Sequence, residues 1–307
     1  MGLLDTIRLV CLGAIWGGSF VFMKVLIPHF SVLQLADLRI FISGIVMTLV
    51  LVVAGQKLNV KQYWKAYLLI GMVTAGIPFG MFSFAAKHLP ASYSAILNSF
   101  APIFGALFSV YVLGERLGIG RVLGLVFGII GVAVISWKGP VEITPQVLLA
   151  MAACLIATMY YGLGGIITSG YKGKLAPTAM TACGQFAAGL CMFPLAFSTP
   201  AQPVSMISNL GLLEVGSLLG LSLVCSGIAF RIFYGLVYRV GPVSALTVTF
   251  LIPMFGMIWS NLFLGEAINM SMFFGSALIF SGIVLINGTR PRLPSWVWAR
   301  KAANQRA

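Results

Sequence analysis

The chain has 307 residues, of which 60% are hydrophobic and only 8% charged, and its mean hydropathy is +1.03. A water-soluble domain carries roughly 25% charged residues, so a soluble enzyme or binding module is excluded. The formal net charge is +13, from 19 Lys and Arg against 6 Asp and Glu. Where these charges sit decides whether they mean nucleic acid or membrane topology.

Apolar runs of about 20 residues recur along the chain, and each is long enough to cross a hydrocarbon core roughly 30 Å thick. They are continuously apolar rather than alternating, which predicts helices and not barrel strands. The expected fold is an all-α integral membrane protein with ten transmembrane helices. The first, 7–27, contains Trp16 and reads as a retained helix, too long for a signal sequence and without a cleavage site. The second, 34–54, carries Asp37 and Arg39, and the third, 63–85, carries Phe79, Phe82 and a predicted kink or hinge at Pro78 between Gly76 and Gly80. The fourth, 91–113, holds Asn98 and Pro102 near its middle. The fifth, 119–137, has a stripe of Gly120, Gly124, Gly128 and Gly131, echoed by Gly275 and Gly282 in the tenth. Such a stripe reads as helix packing within the bundle or as a dimer seam. The sixth, 146–168, contains Tyr160 and Tyr161, and the seventh covers 177–197. The eighth, 213–237, places Phe230, Phe233, Tyr234 and Val237 on one helical face beside Arg231. The ninth, 242–264, carries Thr249 and Pro253, the tenth covers 270–288, and a basic tail with Trp296 and Trp298 suits an interfacial anchor. The five cysteines all fall within spans at no metal-ligand spacing, so neither a metal nor a cofactor is expected.

Residues 93–137 and 244–288 are two copies of one hairpin. Each has Ser-Ala (Ser94 and Ala95, Ser244 and Ala245), then a proline (Pro102, Pro253), a glycine three residues on (Gly105, Gly256), and Leu-Gly-Glu ending at Glu115 or Glu266. The chain therefore divides into a first repeat, 1–139, a second, 140–289, and a tail, 290–307. Five spans per copy is an odd number, so the second copy enters the membrane from the opposite side. Inverted repeats of this kind support alternating access around a site near the bilayer midplane. With both termini cytoplasmic, 14 of the 19 basic residues fall on the inner side and only Lys87 and Lys138 on the outer, while Lys24, Arg39 and Arg231 lie within spans. The positive charge is thus topology and contact with anionic lipid, and it argues against nucleic acid as a partner.

Four elements in order resemble the EamA branch of the drug/metabolite transporter superfamily: WGGSFVFMK (Trp16 to Lys24), ADLRIF (Ala36 to Phe41), AAKHLPASYSAIL, and the paired proline and Leu-Gly-Glu segments. The resemblance implies a ten-helix inverted-repeat carrier of the bacterial inner membrane. Such carriers usually export amino acids or other small metabolites through a cavity lined by helices 1, 3, 4, 6, 8 and 9. Within that branch the chain is most similar to bacterial amino-acid exporters.

A proline inside a helix displaces the carbonyl of residue i−4, here Asn98 for Pro102 and Thr249 for Pro253. These polar residues in apolar helices point to a substrate site; the alternative is that their side chains only satisfy the kinks. Trp16, Phe79, Phe82, Tyr160, Tyr161 and Tyr234 are candidate aromatic walls, with lipid contact or helix packing as the alternative. Arg39 and Arg231 either receive a substrate carboxylate or hold helices together, and Arg231, beside the aromatic face, is taken as the substrate-binding one. All six carboxylates lie at or near membrane faces, which argues against coupling through a central carboxylate and favours gradient-driven facilitation; the alternative is protons acting through peripheral groups such as Asp37 or His88. The expected activity is export of aromatic or aliphatic amino acids and related amphipathic small molecules by a monomer or homodimer in lipid. The alternatives are a proton-coupled drug or metabolite exporter and a nucleotide-sugar or sugar-phosphate exchanger. An enzyme is not expected, because His29 and His88 flank loops and no nucleophile motif occurs.

Overall fold

The computed structural model describes residues 1–85, 88–89, 94, 97–136, 142–198, 210–264 and 270–288, and these contain helices and no β-strand. Glu266 and the tail lie outside them. In chain order the helices are α1 (Leu3–Leu26), α2 (Val32–Val53), α3 (Val60–Ala85), α4 (Ala101–Leu113), α5 (Ile119–Ser136), α6 (Pro145–Gly170), α7 (Pro177–Ala196) and α8 (Leu212–Val240). Next comes α9, a short helix Pro242–Leu246 and, after a turn at Thr247, a longer one Val248–Leu264; α10 is Met270–Gly288. Among the described residues seven of these, α1, α2, α3, α6, α7, α8 and α9, are long and apolar enough to cross a membrane. The apolar stretches of α4, α5 and α10 are shorter, 10–17 residues.

Helix starts follow from capping. Ser31 and Gln34 form a reciprocal box at the head of α2: the Gln34 amide donates to Ser31 Oγ and the Ser31 amide to Gln34 Oε1. Two orphan backbone donors are satisfied at once, which fixes where α2 begins and so the rotation of Asp37 and Arg39. Thr144 caps α6 through the Val147 amide, with Pro145 in the first turn. Gly114 ends α4 at φ 67°, a left-handed conformation that suits glycine. Just beyond it Glu115 accepts from Arg121 at 3.0 Å in a nearly buried ion pair, so of the two arginines near this glutamate it is Arg121 that meets it.

Two helices contain π segments, Met72–Gly76 in α3 and Gly220–Ile228 in α8. Each wide turn shifts the phase of the helix beyond it and releases carbonyls from their usual donors. Side chains from other helices use those of α8: Trp16 Nε1 donates to Cys225 O at 3.0 Å, and Gln185 Nε2 to Ser226 O at 3.0 Å.

The packing pairs are α5 with α10, α2 with α7, α1 with α9, α4 with α6, α3 with α6 and α7, and α8 with α1 and α2. The glycine stripe makes the first of these possible. A Cβ on Gly124 would lie 2.6 Å from Gly282 O, and one on Gly131 would lie 2.7 Å from Gly275 O. The stripe is therefore a seam inside the chain, where small residues let two backbones touch. Large apolar side chains face outward: Val53 is 87% exposed, Tyr111 85% and Leu212 91%. A surface of this kind needs lipid as its solvent, and the chain is a multi-pass membrane protein.

Candidate functional site

Among the described residues a cavity of about 480 Å³ lies between α1, α2, α3, α6, α8, α9 and the segment before α4. That volume falls within the range of small-molecule sites. At one end stand Lys24 and Ile27, both exposed, with Val32; at the other Thr74, Phe233 and Leu246, all buried. The mouth is therefore where α1 ends and α2 begins, and the floor lies near the middle of α3 and α8.

Aromatic rings form the walls. Phe230 meets Trp16 edge-on at 5.5 Å between centroids and Phe79 at 6.1 Å, while Phe82 stacks on Tyr161 at 5.9 Å. Below them Tyr234 is fully buried and shares a 2.7 Å hydrogen bond with the Thr74 hydroxyl, joining the two π-containing helices under the floor.

Arg39 is the charged feature of this wall. It is 8% exposed, its Nε donates to Ser226 Oγ at 3.0 Å, and its guanidinium carbon sits 4.3 Å from the Phe79 ring centroid. Ser226 Oγ in turn donates to Leu221 O at 3.2 Å, so the π segment of α8 holds the arginine through one hydroxyl. Cation–π contact and one hydrogen bond fix the guanidinium without neutralising it. Among the described residues no carboxylate forms an ion pair with Arg39 or lines the cavity; the charged lining residues are Arg39 and Lys24.

Of the residues singled out by sequence, Trp16, Phe79, Phe82, Asn98, Tyr161, Thr249 and Pro253 come together on this cavity. Asn98 Oδ1 is buried without a hydrogen-bond partner, whereas Thr249 Oγ1 donates to Leu246 O at 2.9 Å. Tyr160 does not line the cavity, Tyr234 lies behind its floor, and Arg231 is exposed on the outside of α8. One of the three prolines sits differently from a mid-helix kink. Pro102 stands in the first turn of α4, after a turn at Ser99 and Phe100, where a missing amide costs nothing. Pro78 lies inside α3, two residues after the end of its π segment. Pro253 is inside its helix, as expected.

Sequence reasoning placed α2 outside the cavity and missed Ser226 and Gln185. The signal for α2 was Arg39 itself, a lone cation on the same face as Leu35 and Ala36. For Ser226 the sequence held no signal, because the π segment that presents it has no composition of its own.

Comparison with known proteins agrees with the architecture. An uncharacterized transporter of Bacillus subtilis, YvbV, is 27% identical over 275 residues, covering 89% of this chain and 88% of the relative. A probable terminal-alkyne amino-acid exporter of Streptantibioticus cattleyicolor is 23% identical, covering 89% of each. A solved crystal structure superposes with a TM-score of 0.74 at 17% identity, covering 93% of this chain and 96% of that one, which is a likeness of fold. The EamA-like transporter family matches twice, over residues 6–137 and again over 147–288. With two matches that together span most of its length, apolar helices and a cavity between them, the chain belongs to the EamA-like transporter family.

Proposed function

We propose that this protein is a secondary transporter that exports amino acids with aromatic or aliphatic side chains by alternating access. The observation that carries the reading is Arg39, a fixed guanidinium in a largely apolar, aromatic-walled cavity that no acid lines among the described residues. Arg39 takes the substrate carboxylate, because a guanidinium offers paired donors that match two carboxylate oxygens. The unpartnered Asn98 Oδ1 accepts from the ammonium group, and Trp16, Phe79, Phe82, Tyr161 and Phe230 cover the side chain. The similarity to an amino-acid exporter supports this assignment.

The proposed topology is ten helices in two inverted repeats, 1–139 and 140–289. The packing pairs support it. Exchanging α1–α5 for α6–α10 carries α1 with α9 onto α6 with α4, and α3 with α7 onto α8 with α2, while α2 with α7 and α5 with α10 map onto themselves. The π segments fall in α3 and α8, which the same exchange interconverts. With the positive-inside distribution in support, the proposed orientation has both termini in the cytoplasm and the cavity mouth outside, in a bacterial inner membrane. Gradient-driven facilitation rested on every carboxylate lying near a membrane face. Asp37 does lie near a helix end, but it is 0% exposed, so for this residue proximity to the face does not mean contact with water.

Counterflow of labelled phenylalanine in proteoliposomes tests the assignment. Excess phenylalanine or leucine should compete, and phenethylamine, which lacks the carboxylate, should not. Equal competition by the amine would remove Arg39 from its role. Competition by sugar phosphates and by no amino acid would move the chain to the exchanger class.

A further inference from the structure

Outside the cavity, a carboxyl group lies on the helical face of α2 that also carries Phe41 and Gly44, which pack against α7. Asp37, in the second turn of α2, is 0% exposed, and both of its carboxyl oxygens lack a hydrogen-bond partner. The helices around it are in close contact. A Cβ on Gly189 of α7 would lie 2.7 Å from the Phe41 Cβ, one turn along α2 from Asp37, and one on Gly44 would lie 2.3 Å from the Phe186 nitrogen.

Among the described residues the elements packed against α2 bring no counter-charge. In α7 (Pro177–Ala196) the titratable groups are Cys183 and Cys191; in the π segment of α8 the only one is Cys225; the Ile77–Ala85 half of α3 has none. On α2 itself Arg39 points to Ser226 and Phe79 on a different face. Ser43 Oγ, Gln185 Oε1 and Ser222 Oγ, on these same elements, are also buried without partners. An ionised carboxylate at Asp37, with neither oxygen hydrogen-bonded and no ion-pair partner among the described residues, is the most costly species this seam could hold. The neutral acid avoids that cost. The seam also contains a point of weakness. Pro194 lies inside α7 and removes one backbone bond beside Phe193, whose ring packs on Phe41 at 5.8 Å.

We propose that Asp37 is a proton-binding site linked to the transport cycle. The carboxyl group holds its proton while α2 and α7 are closed on it, and when they part at Pro194 the proton passes to the water that reaches it, leaving the carboxylate. This rests on the transporter reading for the cycle, but not on the substrate assigned to the cavity.

Infrared spectra of the purified protein in lipid bilayers test the site without any substrate. At neutral pH the wild type should show the carbonyl stretch of a protonated carboxyl, shifted in deuterium oxide, absent from Asp37→Asn and retained in Asp5→Asn. A spectrum without that band, or a band that survives in Asp37→Asn, overturns the proposal. If Asp37→Asn fails to fold, Asp37→Glu should move the band in frequency, and an unmoved band overturns it equally. In proteoliposomes with an internal pH dye, the protons moved per labelled phenylalanine should fall to background in Asp37→Asn. Net phenylalanine flux through the wild type with no proton movement would refute the linkage. Failure of wild-type phenylalanine counterflow would instead count against the substrate, and the infrared band would still decide Asp37.

Discussion

A guanidinium stays charged in any protein environment, so what matters about Arg39 is how it is held and what it faces. Ser226 and Phe79 fix its position, and the cavity supplies no anion among its described lining residues. If a substrate carboxylate completes this arrangement, replacing Arg39 by glutamine removes a charge-assisted interaction of about 1.5–3 kcal/mol. Half-saturation for phenylalanine in counterflow should then rise roughly 10- to 100-fold. Arg39→Lys keeps the charge but cannot reproduce the fork or its stacking on Phe79, so its effect should be intermediate. Arg231→Gln is the matched control: on the exposed side of α8 it should leave half-saturation unchanged. If the two glutamine variants behave alike, the carboxylate is recognised elsewhere.

At the scale of helices, energy is concentrated where backbones touch. The α5 and α10 seam has no room for a side chain at Gly124, which abuts Gly282 O and Ile286. Gly124→Leu should lower thermal stability, followed by tryptophan fluorescence in detergent, by at least the ~1–3 kcal/mol typical of overpacking. Gly216→Ala, on α8 with nothing within 4 Å, should be neutral or stabilise by about 0.5 kcal/mol. Elements of this kind were legible in the sequence. Apolar length alone places the seven longer helices, and glycine spacing marks the seam. Rotation was legible only in part: Phe230, Phe233, Tyr234 and Val237 share a buried face as their spacing implies, but Arg231 does not join it. Arg231 and Phe230 are adjacent in α8, yet one is exposed and the other lines the cavity, and the π segment just before them shifts the phase that a 3.6-residue period assumes. Pro102 misleads for a related reason: a proline inside an apolar run suggests a kink, and only the turn at Ser99 and Phe100 makes it a helix start.

For the whole molecule the decisive question is whether the two ends of the cavity pathway open in turn or together. The mouth lies at Lys24 and Ile27, and the floor is sealed by the Thr74 and Tyr234 hydrogen bond, with Val237 buried one turn further on. Transport requires that seal to break. If α1–α5 and α6–α10 are interchangeable halves, breaking it lets each half take up the arrangement the other now has, which closes the mouth as the floor opens. A channel has no such constraint. With the five native cysteines replaced, Ile27→Cys should react with an impermeant maleimide added outside, while Val237→Cys should be protected from it. Any condition that raises labelling of Val237→Cys from the cytoplasmic side should lower labelling of Ile27→Cys from outside, because both report one two-state equilibrium. Simultaneous fast labelling of both positions would mean a continuous pore and would rule out alternating access.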